Sequence, residues 1–341
     1  MTSGVAVIGA GPAGCCAAIA LARGGVECTL FEHGYPGKDK ACGDALVPTA
    51  VRFLSLLGIS ESALATLGGR PFGGIALHGL YGVPWRFPLP QSTGWVVRRA
   101  AIDQHLRDIA AEECHIAYDA TVTAIVPEPQ GVRLTFRGRA TQSFKGAVIA
   151  SGSSNVLGRG FGICGKPLMG ASLTMYCKAS HSGDIEFHFG PTFRPGYAWR
   201  FPLSEGAVNL GVCSLGTVYG SRLRELGIRF AVMSEASEVL SWRGGAGALW
   251  SGTGAAWHHS AGILTCGDAA GLVDPSTGEG ITAALESGWR AGETLASFLH
   301  SGRDPSGLEA YSDWIGAHFS AKYQQEPLRN LWRGFCGLPG A

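Results

Sequence analysis

Apolar positions along this chain change their period several times, and each change marks an element. The run "GVAVIGAGPAG" from Gly4 is apolar without alternation, as in a strand buried on both faces, and it breaks at Gly9, Gly11 and Gly14. An alanine-rich helical stretch follows to about Arg23, and a second short apolar run ends at Glu32. Strict alternation appears at "GYAWRFPL", residues 196 to 203, where Tyr197, Trp199 and Phe201 share one face of a predicted strand while Ala198 and Arg200 point away. Further strand-like runs lie at "GGIALHGL" and "PWRFPLP" (72–96) and across 168–214, and together they predict one antiparallel sheet. Helical spacing returns in 96–112, from about Ser221 to Leu240, from near Glu279, and from Leu308 onward with a break near Pro327.

Composition narrows the class. A 341-residue chain with 46% hydrophobic residues supplies a core for one large domain or two intimate ones. Its 27 basic and 26 acidic residues are intermixed and leave a net charge of +1, so no nucleic-acid partner is expected. The 52 glycines suit tight loops laid against a ligand. Ten cysteines form no CxxC pair and no secretory signal precedes them, so reduced thiols and a cytoplasmic location are expected. Pro12 and glycines interrupt the apolar stretch Gly4 to Ala22, so no transmembrane segment is expected. The histidines form no spaced set: His258 and His259 are adjacent, and His181 and His188 lie in a strand-like stretch with few carboxylates. No metal is expected. A serine hydrolase is excluded because no G-x-S-x-G elbow occurs.

The first element set carries chemistry. Gly9 and Gly11 permit a tight turn and close approach of a pyrophosphate to a helix N-terminus, with Ala13 in the same turn and Gly14 allowing helix and strand to pack; Glu32 can accept from a ribose hydroxyl. That is a dinucleotide-binding fingerprint. Near the other end, "GILTCGDAAGLVDPSTGEGITAALESG" runs from a strand through Gly267 and Asp268 into a Pro/Gly turn and a helix.

With the N-terminal fingerprint, this stretch resembles the flavin-binding signature of the FAD-dependent hydroxylase and geranylgeranyl reductase superfamily. The resemblance implies FAD, with Asp268 on its ribityl chain and the Pro275–Ile281 loop, including Gly278 and Gly280, beside the isoalloxazine. It also implies an arginine at the start of "VVRRAAIDQHLRDIAAE" against the cofactor, where spacing to Ile102 and Asp103 favours Arg99 over Arg98. In "FKGAVIASGSSN" the family's Asp is Ser151, a departure that puts hydroxylase-type control by NADPH in doubt.

The reductase branch is similar in two further stretches. "KDKACGDALVP" (38–48) matches its Lys/Arg-x-Cys-Gly segment near the reactive part of the flavin, with Cys42 and Gly43 at the matching positions. Tyr197, Trp199, Phe201 and Pro202 match its Tyr-x-Trp-x-Phe-Pro segment, with Gly211 following and Cys213 in place of a second glycine. The resemblance implies an α/β fold: a Rossmann-like FAD-binding domain with a parallel sheet (1–70, 97–160 and 255–300), an antiparallel β-sheet substrate domain (71–96 and 161–254) and C-terminal helices (301–341).

An aromatic wall suits an apolar or aromatic small-molecule substrate, and ring faces stabilise positive charge developing on a protonated alkene. The favoured reading is reduction of a C=C bond, with Tyr197, Trp199 and Phe201 binding substrate, Cys42 as proton donor and Tyr197 as the second candidate. NADPH, NADH or another reductant, an electron-donor protein included, would supply electrons. A flavin monooxygenase is the alternative; a halogenase fits less well because Tyr197 and Phe201 replace the halogenase Trp and Ile. A flavin electron-transfer protein without its own substrate is the third reading.

Overall fold

The computed structural model describes residues 3–37, 39–79, 84–89, 94–163, 168–203, 206–216, 220–252, 256–324 and 334–337. Lys38, the run ends at Leu80 and Pro90, and the break near Pro327 lie outside the described residues. The predicted βαβ unit forms as the Ser3–Ile8 strand, the Pro12–Arg23 helix and the Cys28–Phe31 strand. Gly9 turns the chain at φ +105°, and a Cβ there would lie 2.4 Å from the Ala150 carbonyl oxygen. Pro12 takes the first helical position, where its missing N–H costs nothing.

Among the described residues one eight-stranded sheet has a parallel centre. Ile263–Thr265, Arg139–Ile149, Ser3–Ile8, Cys28–Phe31 and His115–Ala117 lie side by side in that order. A hairpin, Val122–Glu128 and Gly131–Phe136, adds antiparallel strands to Arg139–Ile149, and His258–His259 closes the opposite edge. The Pro12–Arg23 helix covers this sheet together with Ile281–His300. Their contact is close because a Cβ at Gly288 would sit 2.1 Å from the Ala13 oxygen. The two motifs at opposite ends of the sequence therefore meet.

A seven-stranded sheet forms the other layer, in the order Glu238–Leu249, Leu168–Lys178, Ala207–Ser214, Gly196–Pro202, Ile185–His188, Gly74–His78 and Trp85–Pro88. It departs from the predicted antiparallel sheet at one place: Ile185–His188 pairs with Gly74–His78 in parallel. The 71–96 segment is also divided, since Arg70–Phe72 and Gly94–Val96 join Ala45–Leu46 in a separate three-stranded sheet. The helix expected over 221–240 spans Gly220–Met233; Glu235 then takes φ +53°, and Glu238–Leu249 is an edge strand. The last long helix is Ser306–Gln324.

Candidate functional site

The dinucleotide end is built around the Gly9–Gly14 turn. A Cβ at Gly14 would fall 1.8 Å from the Gly9 oxygen, whereas one at Gly11 would meet nothing within 4 Å. Gly11 is the N-cap of a helix with no side-chain cap, so no N-cap side chain satisfies the first-turn N–H groups. Ala13 packs inward: a Cβ at Gly267 would sit 2.9 Å from the Ala13 Cβ. The Glu32 carboxylate accepts from Ala10 N (2.9 Å) and Gly34 N (2.8 Å), which anchors it beside the turn. Arg107 Nε donates to the Ala10 oxygen at 3.0 Å. A cleft of ≈ 740 Å³ opens on the far side of Arg107, lined also by Pro36, Gln104 and Tyr118. It belongs to this end of the molecule, away from the aromatic strand.

Asp268 lies in the one-turn helix Gly267–Ala270, where Gly267 N donates to Ser287 Oγ at 2.9 Å. Its carboxylate Oδ2 accepts from Lys40 Nζ at 2.8 Å and from Ser153 Oγ at 3.1 Å. Burial would raise its pKa, but Lys40, Arg99 and the Ser153 hydroxyl together outweigh burial and hold the carboxyl below its usual range. Lys40 thereby joins the cysteine segment to the C-terminal motif. Ser151, at the departure from the family pattern, has a buried Oγ without a hydrogen-bond partner.

The cysteine loop is fixed by a residue that motif reading passed over. Asp44, fully buried and at φ +65°, receives Arg99 N on Oδ1 (3.0 Å) and both Tyr176 OH (2.8 Å) and Asn209 Nδ2 (2.7 Å) on Oδ2. Asn209 also donates to the Cys42 oxygen at 2.8 Å and accepts from Trp199 Nε1 at 2.8 Å. One hydrogen-bond network thus runs from the aromatic strand to the cysteine loop. The Cys42 thiol is half-buried and accepts from Asp44 N at 3.3 Å. Burial pushes its pKa up, and the nearby Arg99 guanidinium opposes that shift.

Arg99 is the buried member of the Arg98–Arg99 pair. It is tied to Asp103 by a two-pronged ion pair, Nε to Oδ1 and Nη2 to Oδ2, each 2.9 Å. Arg98 instead lies over the Tyr176 ring at 4.3 Å.

Tyr197, Trp199 and Phe201 do share one face, and all three are buried. Ala198 turns to the other face, beneath the Gly220–Met233 helix with Val208, Leu210 and Phe230. The wall is packed: Phe187 meets Tyr197 and Phe201 edge-on at 5.4 and 5.2 Å. Trp199 lies across Gly211, where a Cβ would be 2.0 Å from its ring. A Cβ at Gly43 would be 2.7 Å from Phe201, so the cysteine loop rests on the wall.

The Pro/Gly turn reaches the same wall, through Tyr197 OH donating to the Thr277 oxygen. Asp274 orders Pro275 to Gly278 by accepting from Ser276 N at 2.8 Å, and Gly278 takes φ +70°. The helix begins at Ile281 with Gly280 as N-cap, two residues later than expected. The Glu279 carboxylate accepts from Thr282 N at 2.7 Å, so part of this helix end is already capped.

The fold therefore gathers Gly9–Gly14, Glu32, Gly267, Asp268 and the Pro275–Ile281 turn along one side, and Cys42, Gly43 and the three rings on the adjoining wall. Asp44, Tyr176 and Asn209 were missed. The available signal was Asn209, a polar residue inside the apolar run "AVNLGVCS".

Asp44 yields a pH test. Burial raises its carboxyl from the ordinary 3.8 to about 6, against the hydrogen bonds from Tyr176 and Asn209 that favour the charge. With the folded pKa above the unfolded one, its contribution to stability is full below about pH 4 and is lost as pH rises through about 6. A shift of about 2 units corresponds to roughly 3 kcal/mol. Asp44→Asn should remove that slope; thermal melts from pH 4 to 7 that run parallel for both proteins would refute it.

The sequence matches the pyridine nucleotide-disulphide oxidoreductase family over residues 3–180. Menaquinone reductase of Mycobacterium tuberculosis is 30% identical over 323 residues, covering 86% of this chain and 76% of the relative. Digeranylgeranylglycerophospholipid reductase 2 of Methanothermobacter thermautotrophicus is 30% identical over 324 residues, covering 88% of this chain and 79% of the relative. Among solved structures, a geranylgeranyl bacteriochlorophyll reductase-like protein from Thermoplasma acidophilum superposes with a TM-score of 0.86 at 22% identity, covering 100% of this chain and 89% of that one. Among the described residues, no helix is long and apolar enough to cross a membrane.

Proposed function

Because this chain belongs to the pyridine nucleotide-disulphide oxidoreductase family and is an FAD-dependent oxidoreductase, we propose that it reduces a C=C bond in an apolar substrate carrying an isoprenoid chain. The carrying observation is the contact of Gly43 with Phe201 and Trp199, which brings the loop that carries Cys42, a thiol that burial keeps protonated, up to the aromatic wall. The substrate class follows the relatives, whose names include menaquinone and digeranylgeranylglycerophospholipid reductases.

The residues present fit FAD. The open space at Gly11 and the uncapped helix behind it suit a pyrophosphate. Glu32 keeps acceptor capacity for a ribose after its two backbone bonds. We assign Gly9, Gly11, Ala13 and Gly14 to the pyrophosphate, and Gly267 and Asp268 to the ribityl chain. Pro275, Gly278, Gly280, Ile281 and Arg99 are assigned to the isoalloxazine side. The parallel sheet with its helices would form the FAD-binding portion and the seven-stranded sheet the substrate portion. Bound FAD, reduced by NADPH, NADH or a donor protein, supplies the hydride.

This chain's own residues then handle substrate and proton. Trp199, Tyr197 and Phe201 bind the apolar chain and exclude water from it. The Cys42 Sγ–H is the proton source: burial keeps it protonated, and Arg99 stabilises the thiolate left behind. Tyr197 suits that role less, since its hydroxyl proton is directed to the Thr277 oxygen.

Anaerobic reduction of the loaded enzyme, followed by separate exposure to an isoprenoid alkene and to oxygen, tests the reaction. Electrons should pass to the C=C bond without oxygen, with solvent deuterium entering the product. Strict oxygen dependence with labelled oxygen in the product would establish the monooxygenase; no transfer to any small substrate would leave the electron-transfer protein.

A further inference from the structure

The parallel pairing of Ile185–His188 with Gly74–His78 has a chemical consequence on the face turned away from the aromatic wall. The register sets His78 directly beside His188. Glu186, two residues earlier on its strand, shares their face. His78 Nε2 lies 3.1 Å and His188 Nε2 3.6 Å from the same atom, Glu186 Oε2. Neither ring nitrogen meets hydrogen-bond geometry, although both are buried. The imidazoles stack at 4.2 Å with 10° between their planes, and the three ligand atoms lie within 4.8 Å of one another. The expectation of no metal set rested on sequence spacing and is revised here, because 78 and 188 become neighbours only through strand pairing.

We propose that His78, Glu186 and His188 form a site for one divalent transition-metal ion of the zinc class. Two imidazoles and one carboxylate are a donor set such ions take, with water in the fourth position. Both histidines keep partial solvent access, their side chains being 27% and 20% exposed, which gives an ion a way in. The ligand atoms must close to about 2.0–2.2 Å from the ion, which requires one imidazole to rotate out of the stack. Ser182 Oγ donates to Glu186 Oε1 at 3.2 Å, orienting the carboxylate as supporting hydrogen bonds do in metal sites. Arg200 faces Glu186 from the next strand, and its Nη2 donates to the Ser180 oxygen. Its positive charge moderates affinity, and Phe230 closes the opposite side at 4.9 Å from His188. A bound ion would cross-link the Gly74–His78 and Ile185–His188 strands within the sheet that carries Tyr197, Trp199 and Phe201 on its other face.

Metal-stripped, FAD-loaded enzyme is dialysed against Zn²⁺ and analysed for metal, with Co²⁺ absorption as a second reading. One equivalent should bind and raise the melting temperature. His78→Ala and His188→Ala should weaken that binding by about 100-fold or more, since each removes a ligand. Glu186→Gln, which keeps shape and hydrogen bonding, should do the same; it guards against a variant that fails to fold. Absence of binding, or binding unchanged in Glu186→Gln and the histidine variants, overturns the site and leaves a histidine–carboxylate cluster or a cysteine-bound ion elsewhere.

Discussion

Cys42→Ala is expected to load FAD as the parent does and to accept electrons, yet to reduce an alkene about 10²-fold more slowly or worse, the scale of a positioned general acid. The expectation rests on two features of the loop. Its backbone is held by Asp44 and Asn209, and both partners survive when only the sulfur is removed. The thiol itself is kept protonated by burial while Arg99 stands ready to stabilise its conjugate base. A packing role would move neither of two readouts that a proton-donating role must move. Turnover of the parent should fall at high pH as the thiol ionises, and that limb should vanish in Cys42→Ala; the solvent isotope effect should change with it. Equal turnover in both proteins assigns the sulfur to packing and leaves Tyr197 as the donor to test.

The parts of this site that were legible in the sequence depend on short-range pattern. Gly9, Gly11 and Gly14 punctuate an apolar run, and the alternation of Tyr197, Trp199 and Phe201 needs nothing beyond the two-residue period of a strand. The pairing of Arg99 with Asp103 is local as well, since Asp103 lies one helical turn on. What escaped depends on register between distant strands. Tyr176 and Asn209 stand directly opposite each other only because Leu168–Lys178 and Ala207–Ser214 pair as they do, and Phe201 is the next partner of Asn209. No spacing within one segment announces that alignment. His78 and His188 were hidden for the same reason, by a parallel pairing in a sheet expected to be antiparallel throughout.

Gly11→Leu should leave the apoprotein folded and deprive it of FAD. At φ −83° and ψ −177° the backbone of Gly11 is one that any residue adopts. Its added Cβ would meet no protein atom within 4 Å, so the apoprotein should lose about 1 kcal/mol or less, mostly through a poorer N-cap. The side chain would instead occupy the open space before the helix N-terminus, where the pyrophosphate is assigned. Gly14→Leu is the contrasting variant: its Cβ would fall 1.8 Å from the Gly9 oxygen, so the turn itself must break and the fold with it. Loss of flavin in Gly14→Leu would therefore say nothing about the binding seat, whereas loss in Gly11→Leu with an unchanged apoprotein melt locates it. A Gly11→Leu protein that purifies yellow, with FAD released on denaturation at parent stoichiometry, would move the pyrophosphate away from this helix and take the assignments of Gly9 and Ala13 with it.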